Sequence, residues 1–349
     1  MSAFLCGTRK RSGDESRRRR ILLRMAGQQH VSINSILATK SWIGRSVLLI
    51  AAAAVLTMAT LYVRFLFWRR GIIAGLSAHS TVVQTARGPV EYASYGTGPP
   101  VLILHGTPGG YDQIYEILKI SSRDPKQRFI VPSRPGYLRT PLWVGRTPQQ
   151  QADAFAALLD AIHVDKVAVV AGSGGGPSAL RFVLQYPQRC TALVLESAIS
   201  RKWQAAPEPQ GIAGLANAIF NTEFGRWLLS DLIRRSVLGE HASDPVMSAQ
   251  LQAAIRTTYP FDLRKVGYDN DIQQDAALPD WPVENIRCPT LIIHGNADTT
   301  VPYSHAEFAH RIPGSRLVTI QGGNHFAAIT NPGQITAAEN AFISQQAAK

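Results

Sequence analysis

Cysteine is scarce in this chain of 349 residues. The three cysteines, Cys6, Cys190 and Cys288, lie far apart, and their spacing does not match that of a metal site. Cys190 and Cys288 each precede a strand-like run, so we predict that both are small buried side chains. The pattern Asn-X-Ser/Thr is absent, so nothing in the sequence indicates a glycosylated lumenal protein.

An excess of basic over acidic residues is almost absent outside one end of the chain, although the formal net charge is +12. Residues 1–70 carry 13 Lys and Arg against two acidic residues, Asp14 and Glu15, whereas residues 71–349 carry 23 basic and 22 acidic residues. The part expected to be globular is therefore nearly neutral. This balance argues against a nucleic-acid-binding domain, because such domains present a basic surface.

The basic N-terminal region is followed by a long apolar run. Residues 1–45 are predicted to be disordered and solvated because of their charge. Residues 46–70 are predicted to form a transmembrane anchor, since about 20 apolar residues cross the hydrocarbon core if Arg64 reaches the interface. A cleaved signal peptide is a second interpretation, although no small-X-small site follows the run. A buried core helix or an organelle presequence is a third.

The charge around the apolar run predicts an orientation. More basic residues precede the run than follow it, which favours a single-pass protein with its N-terminus in the cytoplasm and the C-terminal domain on the opposite side. If translation began at Met25, only Lys40 and Arg45 would remain upstream, and this signal would vanish.

The rest of the chain alternates between strand-like and helix-like patterns. The predicted strands are 81–85, 90–95, 101–105, 128–131, 167–170, 192–195, 289–294 and 316–320. Predicted helices cover 113–120, 177–186, 303–312 and 333–345, and a further helix begins at Pro148 with Thr147 as its N-cap. This alternation predicts an α/β fold with a mostly parallel sheet and helices on both faces. Residues 201–287 break the alternation, so we predict an insertion there, within a core made of 71–200 and 288–349.

Ser173 lies in an unusual turn, Ala171-Gly-Ser-Gly-Gly-Gly176, between a strand and a helix. A phosphate-binding loop would need a lysine that is absent here, and a dinucleotide fingerprint would need glycine where Pro177 stands. A serine at the apex of a strand–turn–helix is typical of a nucleophile elbow, with Ala171 in place of the usual first glycine. A structural turn is the alternative. We expect Gly172 and Gly175 to relieve crowding and Gly176 to let its helix approach its neighbours.

A serine nucleophile needs a base and an acid that orients the base. Asp298 and His325 follow two later predicted strands, so the order Ser173, Asp298, His325 places all three at the carboxyl edge of the sheet. We predict that they form a catalytic triad, with Glu196 as the rival acid.

Hydrolysis by this chemistry also requires main-chain donors for the oxyanion. The amides of Thr107, in the loop after the third strand, and of Gly174 are the candidates. His105 is interpreted as a structural loop residue, and the loop 132–137 is expected to pack beside the site.

These motifs are HGTPGG at 105–110, SRPGY at 133–137, AGSGGG at 171–176, HGNAD at 294–298 and GGNH at 322–325. Together they resemble the α/β-hydrolase superfamily over residues 80–346. The resemblance implies an eight-stranded, mostly parallel sheet, a triad of Ser173, Asp298 and His325, and a helical cap at 201–287. It implies no metal or organic cofactor. Serine at the nucleophile position argues against haloalkane dehalogenases and epoxide hydrolases, which use aspartate there.

The expected function is hydrolysis of a small-molecule carboxylic ester or related acyl bond by a membrane-anchored serine hydrolase. A hydrolase-fold ligand receptor with little turnover is the alternative, and a membrane scaffold with a vestigial hydrolase domain is a weaker one. No nucleic-acid partner is expected.

Overall fold

The computed structural model of the chain describes residues 12–120, 126–204 and 222–347, together with residues 210, 211, 214 and 218. The chain divides into two compact units, Met1–Leu66 and Phe67–Lys349. The second unit contains every predicted strand.

Helix α1 (Ser12–Gly75) begins the described chain. The sequence predicts disorder over residues 1–45, but the structure is helical from Ser12 onward, and residues 1–11 lie outside the described part. The first proline is Pro89, and residues 12–75 are rich in Leu, Ala and Arg, which favour helix. Among the described residues, one stretch, Gly44–Gly75, is long and apolar enough to cross a membrane, and an 18-residue window within it has a mean hydropathy of 2.2. Length and composition of this kind also occur in helices of soluble proteins.

In the part of the chain that the structure describes, eight strands form one sheet. They are β1 (Thr81–Thr85), β2 (Gly88–Tyr95), β3 (Pro100–Leu104), β4 (Arg128–Pro132), β5 (Val167–Gly172), β6 (Cys190–Glu196), β7 (Thr290–Gly295) and β8 (Arg316–Ile320). Their order is β1-β2-β4-β3-β5-β6-β7-β8. β2 pairs antiparallel with β1 and β4, and all other neighbours are parallel. The predicted mostly parallel, eight-stranded sheet is confirmed.

Among the residues that the structure describes, ten α-helices after α1 have defined bounds, and they cover the sheet or lie in the predicted insertion. They are α2 (Tyr111–Ile120), α3 (Pro148–Ala161), α4 (Gly176–Gln185), α5 (Glu223–Leu228), α6 (Ser230–Leu238), α7 (Pro245–Arg256), α8 (Lys265–Ala276), α9 (Ser304–Ala309), α10 (Ala327–Thr330) and α11 (Pro332–Ala347). Helix α3 begins as predicted: the Thr147 hydroxyl accepts a hydrogen bond from the Gln150 amide at 3.2 Å in a capping box. Helix α10 was not predicted, because four residues are too few to show a helical period.

The core consists of two apolar layers, one on each face of the sheet. Alternate residues of β3 divide between them: Leu102 and Leu104 pack with α3 and α4, whereas Val101 and Ile103 pack with α2 and α11. This division follows from the period of two in a strand, which points successive side chains to opposite faces. Cys190 and Cys288 are free and buried in the first layer, as predicted.

Helices α5 to α8 lie within the segment 201–287. Helix α8 is joined to the segment after β4, since the Gly267 amide donates to the Gly136 carbonyl at 2.9 Å. Arg264, directly before α8, forms a buried ion pair with Asp112 of α2 at 2.7 Å. These contacts hold α8 against the loops at the carboxyl edge of the sheet.

Candidate active site

The glycine-rich turn places Ser173 between β5 and α4. Ser173 has a φ of 49°, a left-handed backbone angle that costs a non-glycine residue about 1–3 kcal/mol. Residues 173–175 form one 3₁₀ turn before α4 begins. A serine in this conformation at the end of a central strand has the backbone geometry of a nucleophile elbow.

Two of the following glycines are required by the close approach of neighbouring main chain. A Cβ on Gly175 would lie 2.5 Å from the Leu104 carbonyl oxygen, and a Cβ on Gly176 would collide with a carbonyl oxygen after β6. The second contact confirms the expectation for Gly176. At Gly172 the nearest atom would be 3.8 Å away, an ordinary contact, so the prediction that Gly172 relieves crowding is wrong.

Ser173, His325 and Asp298 form a chain of hydrogen bonds. His325 Nε2 lies 3.1 Å from Ser173 Oγ, and His325 Nδ1 lies 2.8 Å from Asp298 Oδ2. The three residues follow the carboxyl ends of β5, β8 and β7, which are parallel and meet at one edge of the sheet. In this arrangement the imidazole can accept a proton from the hydroxyl group while the carboxylate orients the ring.

The Asp298 carboxylate is held by several donors. Its Oδ1 accepts hydrogen bonds from the amides of Thr300 at 2.8 Å and Val301 at 2.9 Å. Burial raises the pKa of Asp298, but hydrogen bonds from His294 and His325 outweigh it and hold that pKa below its usual value. The contact with His294 was not predicted, although the HGNAD motif places the two residues only four apart.

Thr107 and Gly174, the predicted oxyanion donors, lie against each other beside Ser173. A Cβ on Gly174 would lie 3.4 Å from the Thr107 amide nitrogen and would collide with the Thr107 hydroxyl oxygen. That hydroxyl group donates to Asp271 Oδ2 at 2.5 Å and accepts from Arg134 Nη2 at 3.0 Å. The orientation of the Thr107 side chain is therefore set by two charged groups.

These two groups form a buried ion pair that the sequence did not predict. Arg134 is 1% exposed and Asp271 is 3% exposed. Arg134 Nη2 lies 2.5 Å from Asp271 Oδ2, and the Tyr137 hydroxyl donates to the same oxygen at 2.5 Å. Arg134 and Tyr137 belong to the SRPGY motif, which was expected only to pack beside the site, and Asp271 lies on α8. The pair therefore ties the insertion to the loop that carries Thr107.

His105 is a structural residue of the same loop, as predicted. Its Nε2 accepts a hydrogen bond from the Arg134 amide at 3.0 Å, so its proton is on Nδ1, 2.7 Å from the Gly106 carbonyl oxygen. Burial, reinforced by the Arg134 charge, lowers the pKa of His105 well below its usual value. The ring is neutral and has both nitrogens occupied, so it is a structural residue.

A cavity of about 500 Å³ adjoins Ser173 and His325. Most of its wall is apolar; the aliphatic members include Ile103, Ile114, Ile117, Leu118, Ile255 and Ile329, which belong to β3, α2, α7 and α10. Of the insertion's tryptophans, Trp203 lines the cavity, whereas Trp281 is buried in the core. Glu196, the rival acid, also lines the cavity, but His325 Nδ1 contacts Asp298.

Metal-ligand clusters are absent from the part of the chain that the structure describes: no group of three or more His, Cys, Asp or Glu side chains there is placed to hold a metal ion. The polar groups at this edge are instead arranged for proton transfer and hydrogen bonding.

Comparison with known proteins agrees with this fold. The profile of the alpha/beta hydrolase fold family matches residues 99–332. An alpha/beta hydrolase fold protein from Nakamurella multipartita is 31% identical, with a TM-score of 0.67, and the match covers 77% of this chain and 100% of that one. The uncharacterized hydrolase YcgS of Bacillus subtilis (strain 168) is 28% identical over 68% of this chain and 88% of its own length. The 2-hydroxy-6-oxo-2,4-heptadienoate hydrolase of Pseudomonas putida is 26% identical over 59% of this chain and 75% of its own length.

The chain belongs to the α/β-hydrolase family, because the family profile covers most of the chain and the sheet has the predicted eight strands. The resemblance inferred from the sequence motifs is thereby confirmed. The names of its relatives support an enzyme of this family.

Proposed function

We propose that this protein is a serine hydrolase that cleaves a carboxylic ester or a related acyl bond through Ser173, His325 and Asp298. The observation that carries the proposal is the 3.1 Å approach of His325 Nε2 to the hydroxyl group of a serine with a left-handed backbone angle. A serine that served only the turn would not need an imidazole within hydrogen-bonding distance of its hydroxyl group.

The proposed reaction has two steps. In the first, Ser173 Oγ attacks the substrate carbonyl carbon as its proton passes to His325 Nε2, which then protonates the leaving alcohol. In the second, water attacks the acyl-enzyme, with His325 again accepting and returning the proton. Asp298 accepts the hydrogen bond from His325 Nδ1–H, which keeps Nε2 free as the base and stabilises the imidazolium.

The negative charge of the tetrahedral intermediate would be stabilised by the main-chain amides of Thr107 and Gly174. Their adjacency supports this role, since both lie on loops at the carboxyl edge beside Ser173. The apolar cavity wall supports a substrate with an aliphatic or aromatic acyl or alcohol group. The chemistry proposed uses no metal or organic cofactor.

We further infer that residues 201–287 form a cap over the active site. We also infer that Gly44–Gly75 anchors the chain in a membrane, with the N-terminus in the cytoplasm. The basic residues that precede the apolar run support the orientation. Deletion of residues 1–75 should move the protein from the carbonate-resistant membrane fraction to the soluble fraction. Recovery of the intact chain in the carbonate supernatant would contradict the anchor.

The hydrolase proposal is tested with p-nitrophenyl esters of graded acyl length and a fluorophosphonate probe. Ser173→Ala should lower kcat by about 10⁴-fold or more and abolish labelling, because the nucleophile is lost. Ser304→Ala removes an exposed serine and is the control. Failure of the wild-type protein to turn over any ester or to be labelled would contradict the proposal, and tight binding of an unreacted ligand would then favour the receptor.

A further inference from the structure

One carboxyl group in the cavity has no part in the proposed reaction. Asp275, near the end of α8, is 3% exposed and lines the same cavity as Ser173 and His325. Within the described residues, its side chain makes no hydrogen bond; the electrostatic influences on it are burial and the charges of Asp271 and Arg134. Buried polar groups are nearly always paired, so a carboxyl group on the cavity wall with no partner among the described residues is placed to meet a polar group that enters the cavity.

The position of Asp275 follows from its neighbours. It lies one helical turn after Asp271, on the same face of α8, and Asp271 accepts the hydrogen bond from Thr107. On its other side, the Asp275 carbonyl oxygen accepts from the Trp203 amide at 2.9 Å. The Trp203 indole N–H in turn donates to the Thr300 carbonyl oxygen at 2.9 Å, and the amide of Thr300 donates to Asp298. Asp275 therefore stands between the loop that carries Thr107 and the loop that carries Asp298.

We propose that Asp275 is a specificity residue whose carboxyl group donates a hydrogen bond to a second oxygen of the substrate, outside the scissile ester. The inference rests on the proposed ester hydrolysis. The substrate class is an ester with a keto, ether or hydroxyl oxygen in its chain, because the rest of the wall is apolar and would bind a plain chain without this contact.

The protonation state of Asp275 supports donation. Burial, and then the negative charge of Asp271, raise the pKa of Asp275 to about 8, against the opposing effect of Arg134. At pH 7 the group is therefore mainly a neutral carboxylic acid, which has an O–H to donate. Glu196 and His325 line the same cavity, and Arg201 and Lys202 precede Trp203 in the chain.

Selectivity should consequently depend on pH. Below about pH 8 the acid donates to the acceptor oxygen, whereas the carboxylate formed above that pH repels it. Asp275→Asn has nearly the same shape and keeps an N–H donor at every pH. Asp275→Leu has no donor at any pH.

The experiment compares p-nitrophenyl alkanoates with p-nitrophenyl oxoalkanoates in which a keto group replaces successive chain methylenes. The measurement is the ratio of kcat/KM for the oxo ester to that for the plain ester, after subtraction of spontaneous hydrolysis. Both esters need the same nucleophile and base, so the contribution of that machinery to the rate cancels in the ratio. The full-length protein is assayed in mild detergent between pH 6.5 and 9.

For the preferred keto position, the wild-type ratio should be about tenfold at pH 6.5 and fall toward one at pH 9. Asp275→Asn should keep its preference at pH 9, and Asp275→Leu should show none at either pH. A ratio of one across the whole series, or an equal preference in Asp275→Leu, would overturn the proposal. Loss of plain-ester turnover in Ser173→Ala reports separately on the hydrolase, so the two failures are distinguishable.

Discussion

Loss of the buried Arg134–Asp271 ion pair is expected to lower the stability of the fold strongly. Asp271 accepts hydrogen bonds from Arg134, Tyr137 and Thr107, with its closest Arg134 contact at 2.5 Å. Asp271→Asn keeps the shape of the side chain but removes its charge. Arg134, which is 1% exposed, would then be a buried cation without its counter-ion.

The expected magnitude follows from this burial. Breaking a buried ion pair by removing one partner costs about 3–5 kcal/mol, because the remaining charge stays desolvated. For a unit of this size the loss lowers Tm by about 5–8 °C. The matched control is Asp269→Asn on the same helix. Asp269 pairs with Lys265 at the same 2.5 Å distance, but the two side chains are 55% and 58% exposed, and such pairs contribute about 0–1 kcal/mol.

Thermal unfolding of the full-length protein in detergent, followed by near-ultraviolet circular dichroism, measures both variants. The Tm of Asp271→Asn should lie well below that of Asp269→Asn. Equal Tm values would refute the effect of burial, because the two ion pairs have the same N–O distance, both aspartates lie on α8, and only their burial differs. Replacing both partners by apolar residues, as in Arg134→Met with Asp271→Leu, should recover part of the loss, because neither charge then remains buried.

Two further predictions concern the elbow and a buried histidine. Gly174→Ala should lower kcat by about 100-fold or more, because its Cβ collides with Thr107 and shifts a proposed oxyanion donor. Gly172→Ala, where a Cβ has room, should change kcat little. Steady-state kinetics with one ester compares the two variants, and equal losses of kcat would contradict the steric explanation. Burial, reinforced by His294, lowers the pKa of His305 to about 4, against about 6.5 in the unfolded chain. The unfolded chain therefore binds the extra proton first, so His305 makes stability fall as pH drops from about 6.5 to 4. Urea unfolding at several pH values should show a shallower fall in His305→Gln than in wild type or in the exposed control His310→Gln, and an identical fall in all three would count against the assignment.

Most of the fold was predictable because its determinants are local. The central strands β3 to β7 are short, mostly apolar and buried runs bounded by turn residues. The edge strands β1 and β8 are partly exposed, and Arg316–Ile320 was predicted to the residue. The start of α3 was predictable because Thr147 and Pro148 define an N-terminus by themselves. Short α10 and the helical state of residues 12–45 were missed, since neither depends on a strong hydrophobic period.

In the candidate site too, residues marked by local sequence were predictable, whereas residues defined by long-range contacts were not. Ser173, Asp298 and His325 could be named from the sequence because each follows a strand, and parallel strands bring their carboxyl ends to one edge. Asp271 could not be paired with Arg134, 137 residues away, because no local pattern reports such a contact. The pKa of Asp275 likewise depends on burial and on the charges around it, which exist only in the folded chain. The sequence by itself therefore predicted where the strands lie along the chain and which three side chains meet at the carboxyl edge of the sheet. Only the tertiary structure decided which charges are buried together and which polar group faces the cavity, because desolvation is a property of the packed fold.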